Sequence, residues 1–259
     1  MITRIGLACT AIFLLFAGCK SAEPVATSAE APAMAQVAPP TAGYTAISDA
    51  LQADPTIEAI IAPYRQRLEA GVNEEIGTTT VHLQKGGLES GLGNMAADAM
   101  LQVANTLSGK PVDMALTNNG GLRVTISKGP ITVGEIFELM PFENMMTVLD
   151  LSATQVDSLA NQLAAARGEP IAGFSFTIDE ATQKAHDILV NNQPLSADRT
   201  YRLVTSDYLA NGGGRIAAIW QPLGREDLNM LLRDAFIEYI RGEGTISPAV
   251  EGRITLRTP

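Results

Sequence analysis

The chain has 259 residues, with 28 acidic and 18 basic side chains and a formal net charge of −10. That length fits one large or two small domains, and the acidic balance argues against a nucleic-acid or anionic-membrane binder, because such partners need clustered Lys and Arg. Only two His and two Cys are present, which excludes a Cys-rich zinc site and any site that needs several His ligands.

The N-terminus has the pattern of a bacterial export signal. A basic start, Met1–Arg4, precedes the apolar run Ile5–Phe16, which is too short to span a bilayer. Cys19 directly after Ala-Gly resembles a lipoprotein lipobox, so we predict a signal peptide over residues 1–18 and lipidation of Cys19. The alternatives are an ordinary signal peptide or a hydrophobic N-terminal anchor. Because Cys9 leaves with the signal, no disulfide is expected in the mature chain.

A tether follows the predicted signal. Residues 20–42 are dominated by Ala, Pro, Ser, Glu and Val without periodicity, which is typical of a disordered or polyproline-like linker. We therefore assign residues 19–43 to the acylated Cys19 and its tether, and residues 44–259 to one domain. The predicted location is the periplasm, with the membrane contacted through the N-terminal lipid only. Lys20 stands where an inner-membrane lipoprotein commonly has Asp, which favours the outer membrane.

From residue 44 onward, helical and strand patterns alternate. Helical spacing and capping residues predict helices from Asp54-Pro55 to Gly71, from Gly93 to Leu107, from Ser152 to Gly168 and over Leu228–Ile240, with a helix or turn in Ile131–Met140. Ser152, with Gln155 three residues later, is predicted to form a capping box at the start of the third of these helices. Strands are predicted at Thr78–Leu83, Val112–Leu116, Met145–Leu151, Phe174–Ile178, Ala185–Val190, Tyr201–Thr205 and Arg253–Leu256. A tight turn is predicted at Asn191-Asn192, because Asn tolerates a positive φ. Because some strands are joined by hairpins and others by helices, we predict one mixed α/β domain rather than a doubly wound parallel fold.

Three loops concentrate the unusual chemistry. The first, residues 117–123, follows a buried strand, and its paired Gly residues let backbone amides approach a ligand closely. In the same loop Asn118 and Arg123 supply donors, and a guanidinium suits a phosphate or a carboxylate. Taken alone, such a Gly-Gly segment is more often simply a tight turn.

The other two loops contain aromatic residues. Phe142 follows Pro141 in a polar turn, where an isolated Phe is often a core residue. The segment 207–215 has three consecutive Gly residues between Tyr208 and Arg215, which is unfavourable in backbone entropy unless the loop needs unusual backbone angles or close ligand approach.

Together these segments resemble the C-terminal domain of the 5′-nucleotidase family, from about Asp54 to the C-terminus. The motifs that carry the resemblance are Glu89-Ser90-Gly91-Leu92-Gly93-Asn94, Asn118-Asn119-Gly120-Gly121-Leu122-Arg123, Gly129-Pro130-Ile131-Thr132, Leu139-Met140-Pro141-Phe142 and Tyr208-Leu209-Ala210-Asn211-Gly212-Gly213. The resemblance implies a layered α-β-β-α domain that recognises the substrate while the chemistry occurs elsewhere.

The resemblance also implies roles for single residues. Phe142 and Tyr208 match two aromatic residues that sandwich the nucleobase, Arg123 matches an Arg that holds the phosphate, and Asn118 matches a polar contact to the nucleoside. The substrate-binding residues implied in this way are Asn118, Gly120, Gly121, Arg123, Phe142, Tyr208, Asn211, Gly212 and Gly213.

Two positions depart from the family pattern. Leu88 stands where relatives have an Arg just before the Glu of the first motif, and Lys85 is the nearby cation that could replace it in part. Gly214 stands where relatives have an Asp that is associated with the ribose hydroxyls. We therefore expect retained base stacking with weaker or altered ribose and phosphate recognition, or a pocket kept in shape without a ligand.

Family members hydrolyse phosphate esters with two metal ions that a separate N-terminal domain holds through several His and Asp ligands. Here His82 and His186 each lack a second His nearby, and no Ser–His–Asp or Cys–His motif is present. We predict no catalytic residue, no metal site and no cofactor in this chain, with divalent metals only in a partner phosphoesterase. One hypothesis is a nucleotide-recognition subunit of a split periplasmic 5′-nucleotidase whose metallophosphoesterase is a separate chain. The others are a stand-alone nucleoside- or nucleotide-binding lipoprotein and a purely structural scaffold.

Overall fold

The computed structural model describes residues 52–257. The predicted signal, the lipidation site, the tether and the predicted domain start at residue 44 lie outside these residues. The described helices are α1 (Pro55–Val72), α2 (Gly91–Leu107), α3 (Val133–Leu139), α4 (Ala153–Ala165), α5 (Asp207–Ala210) and α6 (Leu232–Glu243), with short 3₁₀ turns at Gly213–Arg215 and Ala217–Ile219. None of them combines the length and the hydropathy that a membrane span requires.

Twelve strands form three sheets in the same range. The strands are β1 (Glu75–Thr79), β2 (Met114–Leu116), β3 (Gly129–Thr132), β4 (Met145–Ser152), β5 (Ile171–Ala172), β6 (Phe174–Asp179), β7 (Lys184–Val190), β8 (Gln193–Pro194), β9 (Thr200–Ser206), β10 (Gly224–Leu231), β11 (Thr245–Ile246) and β12 (Ile254–Arg257). The sheet orders are β10-β4-β9-β2-β5, β12-β6-β7-β8 and β11-β1-β3. Parallel and antiparallel pairs occur in all three, which confirms the predicted mixed α/β fold.

The five-stranded sheet separates two hydrophobic cores. Successive side chains of a strand point to opposite faces, and β4 follows this rule. Met146 and Val148 belong to a core that includes α2 and α6, whereas Leu149 and Leu151 belong to a core that includes α4, β6 and β7. Burial of both faces explains why β2 and β4 consist largely of apolar residues.

Local capping explains where several helices begin. The predicted capping box of α4 is confirmed, because the Gln155 N–H donates to Ser152 Oγ at 3.3 Å and the Ser152 N–H donates to Gln155 Oε1 at 3.0 Å. Thr132 and Glu135 form the same box at α3. The predicted tight turn after β7 is also confirmed, since Asn191 and Asn192 have φ values of 50° and 59°.

Two predicted elements differ from the structure. The helix predicted over Leu228–Ile240 begins only at Leu232, because residues up to Leu231 form β10, which pairs with β4 along the sheet edge. The strand predicted at Thr78–Leu83 lies earlier, at Glu75–Thr79. It ends there because Thr79 Oγ1 donates to the Val81 carbonyl at 2.9 Å and turns the chain.

Candidate functional site

Three loops meet at one end of the five-stranded sheet, and the strand register brings them together. β4 pairs antiparallel with β9, with Met146 opposite Ser206, so the start of β4 lies beside the end of β9. Phe142 precedes β4 and Tyr208 follows β9. β2 runs parallel to β9, with Ala115 opposite Val204, so the loop after β2 reaches the same end of the sheet.

The loop after β2 is a tight turn. The Gly121 N–H donates to the Asn118 carbonyl at 3.0 Å, and a Cβ on Gly121 would lie 3.3 Å from that same oxygen. The Arg123 N–H donates to the Leu139 carbonyl at 2.8 Å, which fixes the loop to the end of α3. Paired Gly residues therefore allow a compact turn that holds Asn118 and Arg123 near each other.

Arg123 lies beside the ring of Phe142. Its guanidinium carbon is 5.9 Å from the ring centroid, and one Nη donates to the Gly120 carbonyl at 3.1 Å. A guanidinium over an aromatic face is attracted by the ring quadrupole. These contacts fix the cation, and the guanidinium keeps further N–H donors beyond the one that Gly120 accepts.

Tyr208 is held by the short helix α5. Ser206 Oγ accepts the Leu209 N–H at 3.1 Å, and Asp207 Oδ1 accepts the Tyr208 N–H at 2.8 Å. The same Asp207 oxygen accepts the Met145 N–H at 3.0 Å, which connects α5 to the start of β4. Asp207 therefore links the loop of Phe142 to the loop of Tyr208.

The three loops enclose a cavity of about 300 Å³. The cavity is lined by Asn118, Gly120, Gly121, Arg123, Phe142, Asn144 and Tyr208. Phe142 is 42% exposed and Tyr208 50% exposed, so neither ring is a core residue. Six of the nine predicted substrate-binding residues therefore share one cavity, whose wall combines two aromatic rings, an amide and a guanidinium.

The other three predicted residues lie elsewhere around α5. Asn211 and Gly212 line a separate hollow with Trp220, and Asn211 Oδ1 accepts a hydrogen bond from Arg225 Nη1 at 2.7 Å. Gly213 supports the Tyr208 ring, since a Cβ on Gly213 would lie 2.5 Å from Tyr208 Cζ. Sequence reasoning did not single out Asn144 as a site residue. The Pro-Phe turn just before it is the signal that could have pointed to it.

Leu88 and Gly214, the two positions that depart from the family pattern, each have a role in packing or backbone conformation. Leu88 packs against the core of α4, and its carbonyl approaches Gly168 so closely that a Cβ there would lie 2.3 Å away. Lys85 does not line the cavity; its ammonium donates to the Leu122 carbonyl within the loop after β2. Gly214 has a φ of 69°, and a Cβ would lie 2.5 Å from Leu209 Cδ2, so an Asp would be strained at this position.

Two carboxylates outside the cavity lining hold nearby backbone segments in place. Glu169 accepts the Asn119 N–H at 2.6 Å, and burial raises the pKa of Glu169 despite this hydrogen bond. Glu89, of the motif before α2, accepts the Asn94 amide at 2.6 Å and backbone N–H groups of the C-terminal segment, residues 251–253. Burial opposes the charged form of Glu89, but these hydrogen bonds outweigh it and hold its pKa below the ordinary 4.5.

The described residues do not fit a dinuclear metal site. His82 is exposed after β1, whereas His186 lies on β7 opposite Thr177. Within residues 52–257 no three His, Cys, Asp or Glu side chains are placed to share a metal ion. The prediction that this chain supplies no metal ligands remains a prediction for the whole sequence.

Comparisons with a family model and with known proteins match this chain to the same family. A family model described as 5′-nucleotidase, C-terminal domain, matches residues 75–220. The chain is 31% identical over 218 residues to the endonuclease YhcR of Bacillus subtilis (strain 168), which covers 80% of this chain and 17% of that protein. It is 26% identical over 241 residues to the 5′-nucleotidase of Homo sapiens, covering 82% and 42% of the two chains.

The solved structures agree. The crystal structure of the 5′-nucleotidase precursor from Thermus thermophilus superimposes with a TM-score of 0.67 and 29% identity, over 77% of this chain and 42% of that chain. The chain thus spans less than half the length of the relatives that it matches. Sequence match and superposition together show that the chain belongs to the 5′-nucleotidase family and contains its C-terminal domain.

Proposed function

We propose that this protein is the nucleotide-recognition unit of a periplasmic 5′-nucleotidase-type hydrolase, and that a separate metallophosphoesterase chain carries out the hydrolysis. The observation that carries the proposal is the cavity in which Phe142, Tyr208, Arg123 and Asn118 converge. Export and anchoring through Cys19 belong to the same proposal and rest on the sequence pattern of residues 1–43.

The shape and chemistry of the cavity fit a nucleoside monophosphate. Exposed aromatic rings bind the flat face of a nucleobase irrespective of its identity. The volume of about 300 Å³ is at the lower end of ligand pockets, which suits a base and a ribose, with the phosphate outside the enclosed part. Arg123 stands beside Phe142 and provides a fork of N–H donors for that phosphate.

The small number of His residues supports the assignment of phosphate-ester hydrolysis to a separate chain. A dinuclear phosphoesterase site needs several His and carboxylate ligands around two metals. The 259-residue sequence has two His, of which His82 lies in the loop after β1 and His186 on β7. The described residues therefore bind and orient the substrate, and the partner would supply the metals and the attacking water.

We expect Arg123→Ala to lower the affinity for AMP about tenfold while the affinity for adenosine changes less than about twofold. A charge-assisted hydrogen bond to phosphate contributes about 1.4 kcal/mol or more, and adenosine has no phosphate. Isothermal titration calorimetry with AMP and with adenosine measures both affinities. Arg257→Ala, at an exposed Arg paired with Asp179, is the matched control. Equal losses for AMP and adenosine would contradict the phosphate role.

We expect the full chain to accelerate phosphate release from AMP when it is mixed with the partner phosphoesterase chain, relative to that chain alone. With Phe142→Ala the acceleration should be smaller at AMP concentrations below the dissociation constant, because the base is held less tightly. A mixture that is no faster than the phosphoesterase alone would refute the split enzyme. If AMP still binds in calorimetry, that result would favour the stand-alone binding lipoprotein; if no ligand binds, recognition itself would be refuted.

A further inference from the structure

Helix α1 presents an uncovered row of apolar side chains, which we name the α1 stripe. Its members are Ile57, Ile60, Ile61, Tyr64 and Leu68, and their exposed fractions range from 42% to 69%. α1 contacts α3 near its C-terminal end, where a Cβ on Gly134 would lie 3.0 Å from the Val72 carbonyl oxygen. Within residues 52–257 no element covers the stripe.

The spacing of the stripe is that of a coiled coil. Ile57, Ile61, Tyr64 and Leu68 are separated by four, three and four residues, which corresponds to successive d and a positions of two heptads. Pro63 falls at a c position, away from this seam. In proteins most of the stability of a helix comes from packing of its apolar face. The stripe therefore has the pattern of a helix that pairs with another helix.

We propose that the α1 stripe binds the α1 stripe of a second copy of this chain in antiparallel orientation. The twofold axis of the pair passes midway between Ile61 and Tyr64. Leu68 then packs against Ile57 of the second copy, and Tyr64 packs against its Ile61. A twofold axis makes the two contacts equivalent, as in an isologous dimer.

The charges beside the seam select the antiparallel orientation. Glu58 and Arg65 both occupy e positions and already form an ion pair within one chain. In an antiparallel coiled coil e positions face each other, so Glu58 meets Arg65 of the second copy on both sides of the axis. A parallel pair would instead place g positions against e positions, so Glu58 would face Ala53 and not Arg65 of the second copy.

The surroundings of α1 favour a second copy over a membrane. Its charged residues Glu58, Glu69, Arg65 and Arg67 balance to zero, whereas helices that lie on anionic membranes have an excess of Lys and Arg. A groove of about 680 Å³ begins at Leu68 and has Val72, Phe137 and Ile237 along it. Because Leu68 faces Ile57 of the second copy, the N-terminal turn of that helix reaches this groove.

The contact between two stripes is small for a protein interface. Two stripes with their groove contacts bury on the order of 1,200 Å² in total, the lower end of stable protein interfaces. We therefore expect a reversible dimer that dissociates in the micromolar range.

Disulfide cross-linking tests the orientation. In a full chain with Cys9→Ser and Cys19→Ser, the double variant Ile57→Cys with Leu68→Cys should form a reducible dimer under mild oxidation. The two positions are about 16 Å apart along one helix, too far for a bond within one chain. Each single variant should stay uncross-linked. Dimers in the single variants would show a parallel pair and overturn the proposal.

Light scattering tests the association itself. The full chain should change from 27.4 kDa to twice that mass as its concentration rises through the micromolar range. Ile61→Asp should abolish the change, whereas Ala59→Arg, at an f position, should not. A monomer at every concentration, or a dimer that survives Ile61→Asp, would overturn the proposal. AMP calorimetry on Ile61→Asp keeps this outcome separate from nucleotide binding, since Ile61 does not line the cavity.

Discussion

Phe142→Ala is expected to weaken the binding of both AMP and adenosine by about 5- to 150-fold, because stacking of a base on an aromatic side chain contributes about 1–3 kcal/mol. Phe142 forms one wall of the cavity, and its exposure means that truncation leaves no internal void. Tyr208→Ala should have an effect of the same order, while Tyr208→Phe should keep the affinity because the phenyl face is retained. Calorimetry with both ligands gives these ratios.

The chain offers a close control for this prediction. Phe137 on α3 is 43% exposed, against 42% for Phe142, and its ring also lies beside a guanidinium, that of Arg233. Phe137 does not line the cavity. Phe137→Ala should therefore leave both affinities unchanged. If the two Phe variants bind AMP equally well, the stacking role of Phe142 is wrong.

Glu89→Ala is expected to lower the free energy of unfolding by about 3 kcal/mol, since charge-assisted hydrogen bonds contribute about 1.5–3 kcal/mol and the variant leaves donors without a partner. Glu89 accepts N–H groups from Asn94 and from the segment 251–253, and it thereby fastens that segment to the start of α2. Urea unfolding measures the loss. Glu138→Ala, at an exposed position on α3, should change stability by less than about 0.5 kcal/mol.

The same carboxylate makes the stability depend on pH. The pKa of Glu89 is lowered in the folded protein, so the unfolded state binds a proton more readily. Its contribution is fully present above the ordinary pKa of 4.5 and is lost as the pH falls below that value through the folded pKa. Glu89→Gln should therefore be less stable than the wild type at pH 7, and the difference should shrink between pH 5 and pH 3. A difference that is constant over this range would contradict the argument.

Elements whose signals are local could be predicted from the sequence. The capping box of α4 and the Asn191-Asn192 turn depend on residues within a few positions of each other. Strand β10 could not be predicted from the sequence, because its residues Leu228–Leu231 fit a helical spacing. They form a strand only because they pair with β4. That pairing is a contact between distant segments, and periodicity within one segment does not report it.

The site shows the same division. The motifs identify Phe142, Tyr208 and Arg123, and the resemblance assigns them to one site, but their meeting depends on the register of β4 with β9. Asn211, Gly212 and Gly213 belong to the same conspicuous motif as Tyr208 and nevertheless lie outside the cavity lining. A glycine that makes room for a ring and one that contacts a ligand look alike in sequence, since both are selected for the missing side chain.

The register of the hydrogen bonds between β4 and β9 also sets the distance between Phe142 and Tyr208 in the cavity. A slip of one residue would move the side chains of each core into the other core, where they do not fit, and is therefore disfavoured. A slip of two residues would keep each side chain in its own core, yet it would displace Phe142 from Tyr208 by about 7 Å along the strands. Core packing therefore distinguishes the native register from a two-residue slip only weakly. Binding of a planar ligand in the cavity, by contrast, requires the native register.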